Sequence, residues 1–197
     1  MSKGEKLLII RRKHRILIVV IFIILTLFIL KGILPNLIKS VYPMKYESAM
    51  SRYAMEYGLD LHLIATIIKV ESNYDCLAIS NKGAIGLMQI KPSTGKWIAE
   101  QIGIKDFDEE MLYEPEINIR MGCWYLDYLL EYYKGNVQLA LAAYNGGLGN
   151  VNKWLKNKDY SDDGVSLKSI PFEETKTYLK RISRTYNIYK RLYSTSN

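Results

Sequence analysis

Apolar positions follow two different patterns along this chain. From Ile16 to Leu30 every residue except Thr26 is aliphatic or Phe, with no polar face at any period. Extended through Lys31 and Gly32 to Leu34, with Lys31 reaching for the interface, the run is long enough to cross a bilayer. Beyond Pro35 the apolar residues recur at intervals of three and four, as in helices that bury one face. Tyr46, Met50, Tyr53, Ala54 and Tyr57 predict a first helix that stops at Gly58. Asp60 is placed to cap a second, which carries Ile64, Ile67 and Ile68 and ends near Glu71. A turn-rich stretch from Asn73 to Gly86 follows, with Asn-Lys-Gly at 81–83. Pro92 suits the first turn of a helix that runs through Trp97 to about Gln101. Asp108 can cap a short one, and Pro115 opens a long one with a stripe of Ile117, Met121, Trp124, Tyr128, Leu129 and Tyr132, ending at Gly135. Asn136 caps Val137 to Tyr144, glycines break the chain at 146, 147 and 149, and Val151 to Leu155 forms a short helix. After a polar loop over 157–169, a last helix starts near Pro171 or Phe172 and carries Tyr178, Ile182, Tyr186, Tyr189 and Tyr193.

With no alternating strand pattern and no internal repeat, the fold class is mainly α. The chain divides into a basic cytoplasmic tail (1–15), a transmembrane anchor (16–34), a tether (35–44), a helical domain with its own core (45–193) and a short tail (194–197). The net charge of +7 supports this division and argues against a nucleic-acid partner. Residues 1–31 hold seven Lys/Arg and one Glu, which leaves twenty basic against nineteen acidic residues in the rest. Basicity is therefore a topology signal: the N-terminus stays in the cytoplasm, and everything after Pro35 lies outside a cell membrane crossed once. A cleaved signal peptide has the same charged and apolar regions, but no small-x-small site follows the run, which favours an uncleaved anchor.

Only Cys76 and Cys123 are present, both in the exported part, where they fit either one disulfide or two free thiols. The two histidines are His14, beside the anchor, and His62, alone on a helix, so neither metal nor cofactor is expected. Sixteen tyrosines are many for such a domain. Most are expected in the core, and only those beside the Gly-rich loops are candidates for contact with flat sugar rings.

Candidate chemistry begins at Glu71. It occupies the next position on the face made by Ile64, Ile67 and Ile68, so a carboxyl ends an apolar stripe. At the edge of a cleft it is partly desolvated and its pKa is raised, as a general acid requires. One residue decides little, since most glutamates near a helix end are solvated. Three further segments change that: Gly83-Ala-Ile-Gly-Leu-Met-Gln89, Ala143-Tyr144-Asn145-Gly-Gly, and Phe172-Glu-Glu-Thr-Lys-Thr-Tyr178.

Together with Glu71-Ser72, and in this order and spacing, these segments resemble the lytic transglycosylases of the soluble-lytic-transglycosylase type, over roughly residues 45 to 193. The resemblance implies a lysozyme-like helical fold with a groove and cleavage of peptidoglycan glycan strands without a cofactor. It implies that Glu71 is the single catalytic acid and base. By the same likeness Ser80 reaches toward the substrate's N-acetyl group or the catalytic carboxyl, and Gln89 lines the groove. Tyr144 and Asn145 lie beside the cleavage point, and Tyr178 points at the glutamate from the C-terminal helix. The chain departs from the pattern at Cys76, where the family usually has proline, at Lys91 in place of a common Met, and in Gly-Gly-Leu-Gly-Asn-Val after Asn145. A Cys76 to Cys123 bridge is the expected substitute for the stiffness of that proline. No second carboxylate is placed by a motif, and Asp75 lies in the turn-rich loop, so a single-carboxyl scheme fits better than the two-carboxyl scheme of most glycosidases.

Overall fold

A computed structural model describes residues 3–194, and residues 195–197 of the expected tail lie outside the described residues. The chain falls into two units, Met1–Pro43 and Met44–Asn197.

In the first, helix α1 (Lys3–Phe28) passes through a π turn (Ile29–Ile33) into α2 (Leu34–Val41). The basic segment expected as a separate tail is thus the start of the helix, and the expected tether is largely helical. Pro35 permits this because it sits in the first turn of α2, where its missing N–H costs no hydrogen bond. The wider π turn lies one turn ahead of it, where the proline ring would otherwise meet a carbonyl. From Arg11 to Val41 the helical segment is long and apolar enough to cross a membrane. Its large side chains, among them Ile18, Phe22 and Leu37, are exposed.

The second unit is built from α3 (Glu47–Glu56), α4 (Leu61–Glu71), α5 (Pro92–Ile102), a 3-10 turn (Glu109–Tyr113), α6 (Pro115–Tyr132), α7 (Val137–Gly146), α8 (Leu148–Lys156) and α9 (Glu173–Tyr193). No strand occurs among the described residues, only isolated bridges pairing Ile79 with Ile85 and Ile85 with Ile90. The predicted caps form: Asp60 accepts from the His62 N–H at 2.7 Å, Asp108 from Glu110 at 3.1 Å and Asn136 from Leu139 at 3.1 Å. Helix α8 starts three residues earlier than its apolar pattern suggests. Gly147, at φ 87°, turns the chain sharply enough to end α7 and begin α8 at once.

Helix α4 is the centre of the unit, with Ile64, Ala65, Ile67 and Ile68 inaccessible to water. Helix α9 packs along it, while α6 and α7 form a neighbouring pair around Leu129, Ala140, Ala142 and Ala143. The alanines let the helices approach closely, and a fully buried aliphatic side chain on either helix contributes about 1.5–3 kcal/mol.

Three expectations need correction here. The buried stripe of α6 is Ile119, Met121, Cys123, Leu126 and Leu129, whereas Trp124 and Tyr128 are half-buried and Tyr132 is 48% exposed. Large aromatic residues recur at helical spacing on an adjacent face, so the pattern merged two faces into one. Relatedly, among the described residues only Tyr53, Tyr74, Tyr133, Tyr178 and Tyr189 are buried, and most tyrosines are partly exposed.

The disulfide is the third. Both thiols are free. Cys123 is buried within α6, where desolvation and nearby Glu56 raise its pKa, while half-buried Cys76 lies beside the Tyr46 hydroxyl. The loop after α4 is stiffened by other means. Asp75 accepts from the Leu77 N–H at 2.9 Å, and the Gln89 amide donates to the Ala78 carbonyl at 3.1 Å.

Candidate active site

Glu71 is the last residue of α4, and the position of that helix end is held from three sides. The buried Ser72 hydroxyl shares its proton between the carbonyls of Leu87 (2.8 Å) and Ile68 (3.1 Å), tying the helix to the Gly86–Ile90 loop. From α9, the Arg181 guanidinium donates to the Val70 carbonyl at 2.9 Å, satisfying one of the acceptors a helix C-terminus leaves open. From α6, buried Asn118 holds the loop itself: its carbonyl accepts from the Met88 N–H (2.7 Å) and its amide donates to Leu112 (2.7 Å) and Ile85 (3.0 Å). Gly86, with φ at 80°, lies so close to Leu112 and Asn118 that a Cβ there would overlap them.

The Glu71 carboxyl faces a groove of about 880 Å³. Burial pushes its pKa up to about 7, against the pull of the Tyr178 hydroxyl and the Arg181 charge, with Glu174 adding to the rise. The Tyr178 hydroxyl is close enough to Glu71 to pull its pKa down, yet the two do not meet in a well-formed hydrogen bond. That oxygen and Asn145 Oδ1 are buried with no partner among the described residues. A buried polar atom without a partner costs roughly 1–3 kcal/mol in a folded protein. Catalytic hydrogen bonds that are long in an empty site commonly tighten around substrate.

Of the residues singled out from sequence, Glu71, Ser80, Gln89, Tyr144 and Asn145 line this one groove, and Tyr178 supports it from behind Glu71. Their freedom to bind differs. Ser80 Oγ accepts from the backbone N–H of Ala84 (3.0 Å) and Lys82 (3.3 Å), so its own proton can be directed to a ligand. Gln89, at φ 52°, uses its amide nitrogen on Gly86 (3.0 Å) and Ala78 (3.1 Å), which leaves its oxygen for a ligand. The Tyr144 hydroxyl donates to the Met88 carbonyl at 2.8 Å, so this side chain ties the loop to α7 and offers its ring to the groove.

Sequence reasoning assigned no role to four participants. Ser72 and Asn118 pin the loop; a polar residue on the buried face of α6 was the available signal for Asn118. Arg181 lies three residues beyond Tyr178 and hence on the same side of α9, which helical spacing could have revealed. The fourth is an ion pair across the groove mouth, Lys82 to Glu174 at 2.5 Å. Glu174 therefore also lines the groove, paired to Lys82, whereas Asp75 does not line it. Among the described residues, no cluster of His, Cys, Asp or Glu could hold a metal ion.

The model of the transglycosylase SLT domain matches residues 48–165. The chain belongs to this family. Among relatives of the SLT domain, the soluble lytic murein transglycosylase of Salmonella typhimurium is 36% identical over 152 residues, covering 76% of this chain and 23% of that protein. The membrane-bound lytic murein transglycosylase C of Edwardsiella ictaluri is 29% identical over 180 residues, covering 75% of this chain and 47% of that protein. Among solved structures, an inactive mutant of the lytic transglycosylase Slt of Pseudomonas aeruginosa superposes with a TM-score of 0.68 at 35% identity, over 76% of this chain and 24% of that one. The 70 kDa soluble lytic transglycosylase of Escherichia coli gives 0.70 at 28% identity, over 84% and 27%. The mainly helical, lysozyme-like class expected of the chain is thus the fold of solved SLT-domain proteins. The chain spans about a quarter of the soluble relatives and about half of the membrane-bound one. The groove residues Glu71, Ser80, Gln89, Tyr144 and Asn145 fall inside the matched span, and the supporting residues Tyr178 and Arg181 fall beyond it.

Proposed function

We propose that this chain is a membrane-anchored lytic transglycosylase that cleaves the β-1,4 bond between N-acetylmuramic acid and N-acetylglucosamine in peptidoglycan. Glu71 is its single acid and base. The observation that carries this reading is a carboxyl with a pKa of about 7 at the end of an apolar helix, opening on a groove whose nearby polar atoms lack partners. Protonated Glu71 gives its proton to the glycosidic oxygen as that bond to C1 breaks, and the neighbouring 2-acetamido group stabilises the positive charge at C1. Glu71, now a carboxylate, takes the proton of the same sugar's C6 hydroxyl, whose oxygen closes on C1 to give a 1,6-anhydro ring. No water is consumed, and Glu71 ends protonated as it began. A pKa near the working pH serves both halves of the cycle.

In this reading, Ser80 and Asn145 hold polar groups of the sugars, and Tyr178 keeps the carboxyl in place. The N-terminal helix crosses the membrane once with its basic end inside, so the groove works on glycan close to the outer face.

Digestion of purified peptidoglycan tests the reaction: the wild-type chain yields anhydro ends and Glu71→Gln yields no cleavage. Cleavage by that variant overturns the assignment. A second reading has one observation in its favour, the presence of Glu174 in the groove. A hydrolase using it as base would yield free reducing ends and would lose as much activity in Glu174→Gln as in Glu71→Gln. With Glu174 already paired to Lys82, we expect that substitution to reduce turnover by less than about tenfold.

A further inference from the structure

The loop after α4 carries two large aliphatic side chains that the core does not take up. Leu77 is 67% exposed and Ile79 62%, and neither lines the groove. The backbone around them is held on both sides. The Leu77 N–H donates to the Asp75 carboxylate, the Ala78 carbonyl accepts from the Gly86 N–H, and the Ser80 N–H donates to the Ala84 carbonyl, each at 2.9 Å. Leu77 and Ile79 thus form a fixed apolar tip. Where this tip lies decides what covers it. Cys76, next to Leu77, lies beside the Tyr46 hydroxyl, and Asp75 is close enough to act on that hydroxyl as well. Tyr46 stands at the start of the second unit, just ahead of α3, and the apolar helical segment that precedes it ends at Val41. Five residue steps of backbone span at most about 18 Å, so Tyr46 is never farther than that from the end of the segment.

We propose that the tip of Leu77 and Ile79 is a membrane-docking surface, which sits in the outer leaflet at the boundary between headgroups and acyl chains. The proposal rests on the reading of the N-terminal helix as a membrane anchor and extends it to the catalytic unit. Charge does not drive the contact. Lys45 and Lys69 lie close enough for burial and the Lys45 charge together to lower the Lys69 pKa, but Glu47 and Asp75 in the same stretches of chain balance them. What remains is apolar contact, with half-buried Tyr46 supplying the amphipathic ring favoured at headgroup level. Two aliphatic side chains would not hold a free domain on a bilayer. On a tethered one they suffice, because the anchor makes docking intramolecular, at an effective concentration set by a linker of a few residues. Ser80 follows Ile79 and lines the groove, so docking turns that edge of the groove toward lipid and restricts it to glycan running close to the membrane.

The full chain in phosphatidylcholine nanodiscs, one chain per disc, tests this with a nitroxide spin label introduced in turn through Leu77→Cys, Ile79→Cys and Val165→Cys. Cys76→Ser removes the half-buried native thiol, and Cys123 is buried in α6 beyond reach of the reagent. Val165 is as exposed as Leu77, at 68%, but belongs to the loop between α8 and α9. Oxygen dissolves in lipid and a nickel chelate stays in water, so the ratio of their collision rates with the label should be at least about fivefold higher at the Leu77 and Ile79 positions than at Val165. Adding Leu77→Asp should return the label at the Ile79 position to the Val165 ratio. Turnover of soluble glycan strands, expected within about twofold of the parent in every variant, checks the fold independently. Equal ratios at the three positions overturn the proposal, and so does a ratio at the Ile79 position that Leu77→Asp leaves unchanged. With no other protein in the disc, a tip that serves a protein partner or a second copy gives equal ratios. The two readings fail separately. A chain that does not enter the discs sinks the anchor and the docking with it, whereas a disc-borne chain whose tip stays in water sinks the docking alone.

Discussion

The two ends of helix α4 each carry a carboxylate met by a tyrosine of α9, and the two pairs are in opposite states. At the N-terminus, Asp60 accepts from the Tyr186 hydroxyl at 2.6 Å and from the His62 N–H at 2.7 Å. Burial alone would raise its pKa, but these hydrogen bonds outweigh burial and hold it below the usual range. At the C-terminus, Glu71 faces Tyr178 without a well-formed bond, and burial prevails, placing its pKa at about 7. The chemistry of the two pairs is the same and the surroundings differ. Asp60 sits where backbone N–H groups are unpaired and the helix dipole favours an anion. Glu71 sits where carbonyls are unpaired and the dipole disfavours one, with the Tyr178 hydroxyl and the Arg181 charge in incomplete compensation. A helix stabilises a carboxylate at its first end and keeps a proton available at its last.

This contrast can be broken most sharply at the carboxylates themselves. Glu71→Gln is expected to lower turnover by about 10³-fold or more, while Asp60→Ala leaves turnover within about twofold in muropeptide-release assays. The wild-type rate should also fall about tenfold per pH unit above pH 7, the value about which Glu71 loses its proton. A flat profile up to pH 9 would remove Glu71 as the acid.

The next effect is on stability. Because the folded pKa of Glu71 lies above its ordinary 4.5, its contribution is complete below that value and is lost as pH rises through about 7. Denaturation at pH 4.5 and pH 8 should therefore show the Glu71→Gln chain gaining about 2 kcal/mol on the wild type at the higher pH, a figure discounted because the carboxyl partly faces solvent. Asp60 has the opposite sign: its contribution is present at neutral pH and is lost as pH falls through its lowered pKa.

Smaller effects come from the tyrosines. Tyr178→Phe removes a group that pulls the Glu71 pKa down, so turnover should fall by about tenfold and the alkaline limb of the pH profile should move upward. Tyr186→Phe and Asp60→Ala should each cost about 1 kcal/mol of stability in denaturant melts, with the pH profile unmoved. Equal pH profiles for the Tyr178 and Tyr186 variants would erase the distinction between the two ends.

The helices were legible because their causes are local. Asp60, Asn136 and Pro115 act within one turn of where they stand, and apolar spacing reports a buried face whatever it packs against. The same logic misled on α6, where Trp124, Tyr128 and Tyr132 recur at helical spacing but form a half-exposed surface. Spacing identifies a face and does not say what covers it. The absent Cys76 to Cys123 bridge and the Lys82 to Glu174 pair share one cause, since both depend on which side chains of distant segments come within reach.

By itself, the order of residues determined a mainly helical chain, a long apolar N-terminal segment and a glutamate that closes an apolar stripe, because periodicity, caps and composition act over a few residues. Tertiary structure alone decided that Asn118 and Ser72 hold the loop against α4, that Arg181 reaches Val70, and that the Tyr178 and Asn145 oxygens are buried without partners. It also set how far the carboxyl of Glu71 is desolvated. That property depends on every neighbour within a few ångströms, and those neighbours come from helices up to about a hundred residues away.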